Sequence, residues 1–344
     1  MTVGLVYDPI FLEHDTGDHV ENSHRLAVTV NLLQESQLME KLTIIPPRAA
    51  NRNELALAHS ESHINRVESC SSCGGGWLDG DTFASPESYK VALYAVGGGL
   101  RGIDALMTRE VNHVFALVRP PGHHATRHHA MGFCLFNNIA IAAKYAIENH
   151  NIERILIADF DVHHGNGTEE LFYSDPSVLY FSTHQSPHYP GTGALGDEGS
   201  AEGRGMTVNV PLPAYCGDKE YQRVYQELLV PIARQFKPQL ILVSAGYDIH
   251  WADPLSLMQV TVNGFGSIVS TIKELADELC DGKLLITLEG GYHLQALPLG
   301  IKASIEALLG IPQDTDPLGG PLREIMPRNI DHIIKHVASC HGLV

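Results

Sequence analysis

The chain has 344 residues, and 23 Lys and Arg against 40 Asp and Glu leave a net charge of −17. That balance argues against a protein that holds nucleic acid by neutralising phosphates. With 44% hydrophobic and 18% charged residues the chain is globular, not disordered, and its 20 histidines are the compositional anomaly.

In chain order, VGLVY (3–7) is predicted as a strand and 23–34 as a helix. Residues 86–107 form a long helix in which Gly97, Gly98 and Gly99 mark close packing. HVFALV (113–118) is a strand, 138–148 an Ala-rich helix and RILIADF (154–160) a buried strand. Two more strands follow at 178–183 and 206–212, then a helix over 218–235. QLILVSAG (239–246), a helix over 262–279 and KLLITLEGG (283–291) complete the pattern. Continuous Ile/Leu/Val runs indicate strands covered on both faces, and strand–helix alternation gives a parallel α/β sheet. No Pro/Ser/Gly-rich linker divides the chain, so one domain spanning 1–344 is expected. The stretch 186–205, rich in Gly and Pro, is read as a functional loop because it follows a strand.

No apolar run of about 18 residues is present, so no membrane span is expected. The opening MTVGLVYDPIFLEHD lacks the basic start of a signal peptide. Six cysteines in so long a chain do not read as a disulfide scaffold, which points to a reducing, cytoplasmic setting. Cys70 and Cys73 form a single CxxC in a Ser/Gly-rich stretch. It reads as a loop pair without a metal role, with a reversible redox pair as the alternative.

Ligands of open parallel sheets bind beyond the carboxyl ends of the strands, and four of the five loops there carry His, Asp or Tyr. DFDVHHGNG (159–167) is the strongest signal. Asp161 and His163 are two apart at a strand end, so their side chains point the same way. A carboxylate and an imidazole suit a divalent ion such as zinc, and Asp248 at another strand end is the best third ligand. Two Asp and one His leave a position open for water and substrate. Turn and capping residues are the competing explanation. His123-His124 in a Pro-Pro-Gly turn suits a fixed general base, whereas His128-His129 reads as a solvated pair. Tyr292, after two glycines, is placed to donate to an oxyanion, or is an ordinary rim tyrosine.

These motifs together resemble the zinc-dependent histone deacetylase superfamily, in its class II and bacterial deacetylase-like branch. The resemblance runs through HVENSHRL (19–26), RPPGHHA (119–125), GFCLFNN (132–138), DFDVHHGNG, YPGTG (189–193), SAGYD (244–248), DPL (253–255) and LEGGY (288–292). It implies an arginase/deacetylase-type α/β fold and one catalytic zinc ion on Asp161, His163 and Asp248. His124 would be general base and then acid, with His123 as electrostatic support. Tyr292 would polarise the acetyl carbonyl, Asp159 would orient His123, and Asn166 would orient His124. Phe133 and Tyr189 would wall an acyl-lysine tunnel, with Gly132 offering its carbonyl to the amide. Arg25 would line an internal acetate exit. Potassium is implied at backbone around Asp159, Asp161 and His163 with Ser182 and Thr183, and near Phe172, Asp175, Val178 and Tyr221.

The chain departs from the family pattern at three points. Tyr189 stands where the family wall is Phe, His293 stands where Asn is common, and HVENSHRL varies the usual His-Pro-Glu form. Asn166, where class I relatives have Asp, leads to the expectation that His124 stays neutral at rest. Leu255 occupies the position where polyamine deacetylases carry an acidic gatekeeper. It favours an acyl-lysine peptide or protein, or a small acetylated amine, over an acetylpolyamine. A two-manganese ureohydrolase lacks its bridging carboxylates here. A catalytically dead acyl-lysine reader would have lost a ligand, the base or the phenol.

Overall fold

The computed structural model describes residues 2–313, 315–321 and 323–343. In chain order the strands are β1 (Val3–Val6), β2 (Thr43–Ile45), β3 (Gly76–Trp77), β4 (Phe83–Ala84), β5 (His113–Ala116), β6 (Ile155–Asp159), β7 (Val178–Gln185), β8 (Thr207–Leu212), β9 (Leu240–Ala245) and β10 (Leu284–Leu288). The helices are α1 (His24–Glu35), α2 (Arg52–Ala56), α3 (Glu61–Ser72), α4 (Ser88–Met107), α5 (Asn138–His150), α6 (Asn166–Phe172), α7 (Asp218–Val224), α8 (Val230–Phe236), α9 (Val262–Leu279), α10 (Ala296–Leu309) and α11 (Asp331–Cys340).

Eight strands form one sheet in the order β2-β1-β5-β10-β9-β6-β7-β8, and every pairing is parallel. β3 and β4 make a small separate antiparallel pair. Every residue of β5, β6, β9 and β10 is buried, as helices on both faces require. α1, α10 and α9 pack in one row and α4 with α5 in another. Among the described residues no helix is long and apolar enough to cross a membrane.

Two of the three α4 glycines are needed by their neighbours. A Cβ on Gly97 would stand 1.9 Å from the Arg48 carbonyl oxygen, and one on Gly98 would stand 2.8 Å from Val6. At Gly99 the nearest atom would be 3.9 Å away, an ordinary contact.

Several elements differ from the expected pattern, and α2, α3, α6 and α10 are helices that it does not include. The helix expected over 218–235 is α7 and α8 joined by a π turn, Tyr225–Leu229. Pro231 lies in the first turn of α8 and has no N–H to donate, so the hydrogen-bond ladder widens just before it. β2 and the β3–β4 pair are too short to leave a periodic signal. α11, beyond the last predicted strand, packs on the edge strand β8 through Ile333, Ile334, Val337 and Ala338. Within 186–205 only one 3-10 turn forms, Ala201–Gly203.

Candidate active site

Four neighbouring strands, β5, β10, β9 and β6, end beside one another at the carboxyl edge of the sheet, and the residues that follow them converge. Asp159 ends β6, and Asp161 and His163 follow it. Asp248 follows β9, Gly290–Tyr292 follow β10, and His123 and His124 follow β5. The ligating atoms of Asp161, His163 and Asp248 all lie within 4.8 Å of one another, and all three residues are buried. His163 Nδ1 is 3.0 Å from Asp161 Oδ1 and 3.4 Å from Asp248 Oδ2.

The surrounding backbone holds the carboxylates in place. Asp161 Oδ2 accepts from Gly290 N at 2.8 Å, and Asp248 Oδ1 accepts from Val162 N at 2.9 Å. Asp248 Oδ2 is buried and accepts no hydrogen bond. A Cβ at Gly290 would lie 2.1 Å from that oxygen, and one at Gly246 would lie 2.2 Å from Asp161 Oδ2, so both glycines leave room for the cluster. Burial raises Asp248 to about 6, helped by Asp161 and opposed by His163. Burial lowers His163, but Asp161 and Asp248 outweigh it and push the imidazole up to about 10. Two buried carboxylates side by side with one orphaned oxygen call for a cation. A His–Asp–Asp donor set suits zinc.

The two neighbouring histidines are held in opposite protonation states. Burial lowers His123, yet Asp159, Asp161 and Glu289 push it up to about 10; its Nδ1 sits 3.1 Å from Asp159 Oδ2. His124 is held well below the usual imidazole range, first by burial and then by the positive charges of His123 and His163. Its Nδ1–H donates to Asn166 Oδ1 at 2.8 Å, which leaves Nε2 with a free lone pair. The neutral His124 expected from Asn166 is therefore what the site favours, with burial as the main cause.

These groups floor a cavity of about 210 Å³ whose walls include Gly132, Phe133, His188, Tyr189, Leu255 and Tyr292. Gly132 has φ +55, and a Cβ there would strike the His124 ring at 2.3 Å. Phe133 meets the Tyr292 ring edge-on at 5.9 Å, and Tyr189 meets His124 at 5.2 Å. Burial and Asp248 hold the Tyr292 phenol well above its usual range, so it is a neutral donor. Arg25 lies 5.0 Å from the Tyr292 ring centroid and donates to the Gly291 and Glu289 carbonyls at 2.7 Å each. Its remaining nitrogen pairs with Glu21 at 2.9 Å. A larger hollow of about 330 Å³ beside Met326 brings together none of these groups.

The motifs leave several contributing residues without a role. Glu289, inside LEGGY, accepts from Gly122 N at 2.6 Å and His123 N at 3.1 Å, so it fixes the histidine turn. Asp253 accepts from Tyr292 N at 2.7 Å and Leu255 N at 3.0 Å, tying two walls together. His188 stacks on His163 at 4.9 Å and donates to the Leu255 carbonyl at 2.9 Å. The 186–205 loop is pinned by His164 on Thr192 at 2.8 Å and by His184 on the Gly193 carbonyl at 2.9 Å. His128 and His129 are exposed, as a solvated pair would be. Cys70 and Cys73 do not lie in the expected loop: Cys70 is in the last turn of α3 and Cys73 caps that helix, both as free thiols.

Residues 19–308 match the family described as Histone deacetylase domain. The chain is 38% identical over 351 residues to Histone deacetylase 14, chloroplastic, of Arabidopsis thaliana, covering 96% of this chain and 83% of that one. It is 39% identical over 314 residues to a probable deacetylase of Archaeoglobus fulgidus, covering 90% and 87%. The crystal structure of the HDA15 HD domain superposes with a TM-score of 0.89 at 34% identity, covering 99% of this chain and 94% of that chain. The eight-stranded parallel sheet, its converging strand ends and these likenesses agree: the chain belongs to the histone deacetylase family and is a hydrolytic deacetylase.

Proposed function

We propose that the protein removes acetyl groups from lysine side chains of proteins or peptides, with one zinc ion held by Asp161, His163 and Asp248. The observation that carries this reading is the orphaned Asp248 oxygen beside Asp161 and His163, with His163 lining a cavity also walled by His124 and Tyr292. A bound zinc ion supplies an electrophilic pull on the substrate carbonyl and makes water acidic enough to attack near neutral pH.

The chain's own residues supply the rest. Nε2 of neutral His124 takes the proton from the attacking water and returns it to the departing amine. His123, cationic and oriented by Asp159, stabilises negative charge that develops beside it. Tyr292 donates a hydrogen bond from its phenol to the oxyanion, a contribution of roughly 3 kcal/mol. Phe133 and Tyr189 clamp the methylene chain, and the Gly132 carbonyl accepts from the substrate amide N–H. Leu255 gives the mouth an apolar edge. Arg25 spends its donors on Glu21 and two carbonyls, so its place beside an acetate exit is as a support of the wall beneath Tyr292.

A second reading, an acetylated polyamine or other small amine, is favoured by one observation: the Asp81 carboxylate lines the same cavity as Leu255. The deciding experiment compares zinc-loaded, chelated and zinc-restored protein on acetyl-lysine peptides and on acetylated putrescine and spermidine. Activity lost on chelation and regained with zinc, with peptides preferred, supports the proposal. A tenfold or greater polyamine preference moves the substrate to the second reading, and binding without turnover would make the site a reader.

Potassium belongs to the same proposal. Asp159 pairs with Ser182 across β6–β7, and the Thr183 hydroxyl lies 3.4 Å from the Asp159 carbonyl oxygen, a polar backbone cluster beneath the zinc ligands. The second position lies around Phe172, Asp175, Val178 and Tyr221, where the buried Tyr221 hydroxyl has no hydrogen-bond partner. One catalytic domain is supported by a core cluster running from Val3 to Ala338. Six free thiols fit a reducing, cytoplasmic compartment.

A further inference from the structure

α11 has the sequence DHIIKHVASC, capped by His341, which places His336 and Cys340 four residues apart. On a helix that spacing puts both side chains on one face. Glu198, from the 186–205 loop, faces them, and the ligating atoms of Glu198, His336 and Cys340 lie within 4.8 Å of one another. They border a hole of about 10 Å³ that His341 also lines, the size of a single water or ion.

Glu198 is held from behind. Its carbonyl accepts from Gly205 N at 2.6 Å, while Ser200 N donates to the Tyr173 carbonyl at 2.7 Å. The turn passes through Gly199 at φ +88, where a Cβ would lie 2.2 Å from the Gly203 oxygen. On the other side, buried Ile333, Ile334, Val337 and Ala338 seat α11 against the body of the protein. Both halves are thus fixed before any ligand arrives. A hydrogen bond to Glu198 holds the Cys340 thiol above its usual range, with burial adding to it.

We infer that Glu198, His336 and Cys340 form a second divalent-metal site, selective for a borderline-soft ion such as zinc. A thiolate with an imidazole and a carboxylate suits zinc over magnesium or calcium, which prefer all-oxygen cages. On binding, the Cys340 S–H bond breaks, a sulfur–metal bond forms and the proton leaves to solvent. The fourth position is open to His341 or water. The ion ties α11 to the loop that carries His188 and Tyr189, the cavity walls.

Cobalt tests this in the whole chain carrying a single equivalent of zinc, enough for the catalytic cluster, so that the second site is free to take cobalt. The catalytic cluster has no thiolate, so a thiolate-to-cobalt charge-transfer band reports a cysteine-containing site alone. The band is expected to saturate at one equivalent, to vanish in Cys340→Ser and His336→Ala, and to persist when Cys70 and Cys73 are both changed to Ser. Glu198→Gln is expected to weaken binding by about tenfold or more, in the range for removing a supporting metal contact. Zinc is expected to slow proteolysis within 186–205 in the wild-type chain and not in Cys340→Ser. No band, or a band that survives Cys340→Ser, would overturn the site. Binding without protection of the loop would overturn its bridging role.

Discussion

Replacing Asn166 by Asp probes the base directly. Asn166 Oδ1 lies 2.8 Å from His124 Nδ1, and His124 is only 3% exposed. A carboxylate there would stabilise the imidazolium. With charge centres about 4 Å apart and an effective dielectric of about 20, the attraction is about 4 kcal/mol, or about a thousandfold in proton affinity. Asn166 itself is only half-buried, so screening reduces this, and the acid limb of the pH profile is expected to move up by about 1–3 pH units. The sign follows from the role. A base works only when neutral, so below the new limb the rate falls about tenfold per pH unit. The assay is kcat/KM against pH on an acetyl-lysine peptide, with metal content and thermal stability checked. An unmoved acid limb in a folded, metal-loaded variant would refute the assignment of His124 as base.

Tyr292→Phe is expected to lower kcat by about 10²–10³ with a smaller change in KM, read by steady-state kinetics; full activity would remove the phenol from the mechanism. Gly290→Ala drives a Cβ to 2.1 Å from Asp248 Oδ2, so bound zinc measured by mass spectrometry should fall well below one equivalent. In α4, Gly97→Ala is expected to destabilise by about 1–3 kcal/mol through overpacking, whereas Gly99→Ala should be neutral or stabilising by up to about 1 kcal/mol; urea titrations of the pair separate the two. Burial first of all pushes His14 to about 4 and His59 and His184 to about 3. Their folded values lie below the unfolded one, so the unfolded chain binds more protons below about pH 6.5. Stability should therefore drop as pH falls from there toward 4, by about 1.4 kcal/mol per pH unit for each; His123, raised to about 10, is protonated in both states below pH 6.5 and adds no slope in this window. A melting temperature flat from pH 6.5 to 5 would contradict this.

Much of the site is legible in the chain because strand ends carry short motifs. DFDVHHGNG singles out Asp161 and His163 by their spacing, although the structure sets both just beyond the end of β6, and the buried strand runs locate the sheet. What pure sequence leaves open is what distant segments do to one another. Glu289 looks like one more acid until the β5 and β10 ends lie side by side and its carboxylate takes the Gly122 and His123 amides. Asp253 reads as a turn residue until it grips the Tyr292 backbone.

The histidine excess shows the same division. Composition points to histidine chemistry, and the motifs single out His123, His124 and His163. Only the folded chain assigns others, since their work is to satisfy buried backbone carbonyls far away in sequence. His59 bonds to Thr126, His63 to Leu135 and His113 to Gly282. Local patterning located the sheet and singled out Asp161 and His163 as candidate ligands, because periodicity and spacing act over a few residues, while the reaction class came from the resemblance of the motifs taken together. The tertiary structure decided the orphaned oxygen of Asp248, the opposite protonation states of His123 and His124, and the facing of Glu198 with α11, because burial and long-range contacts have no local signature.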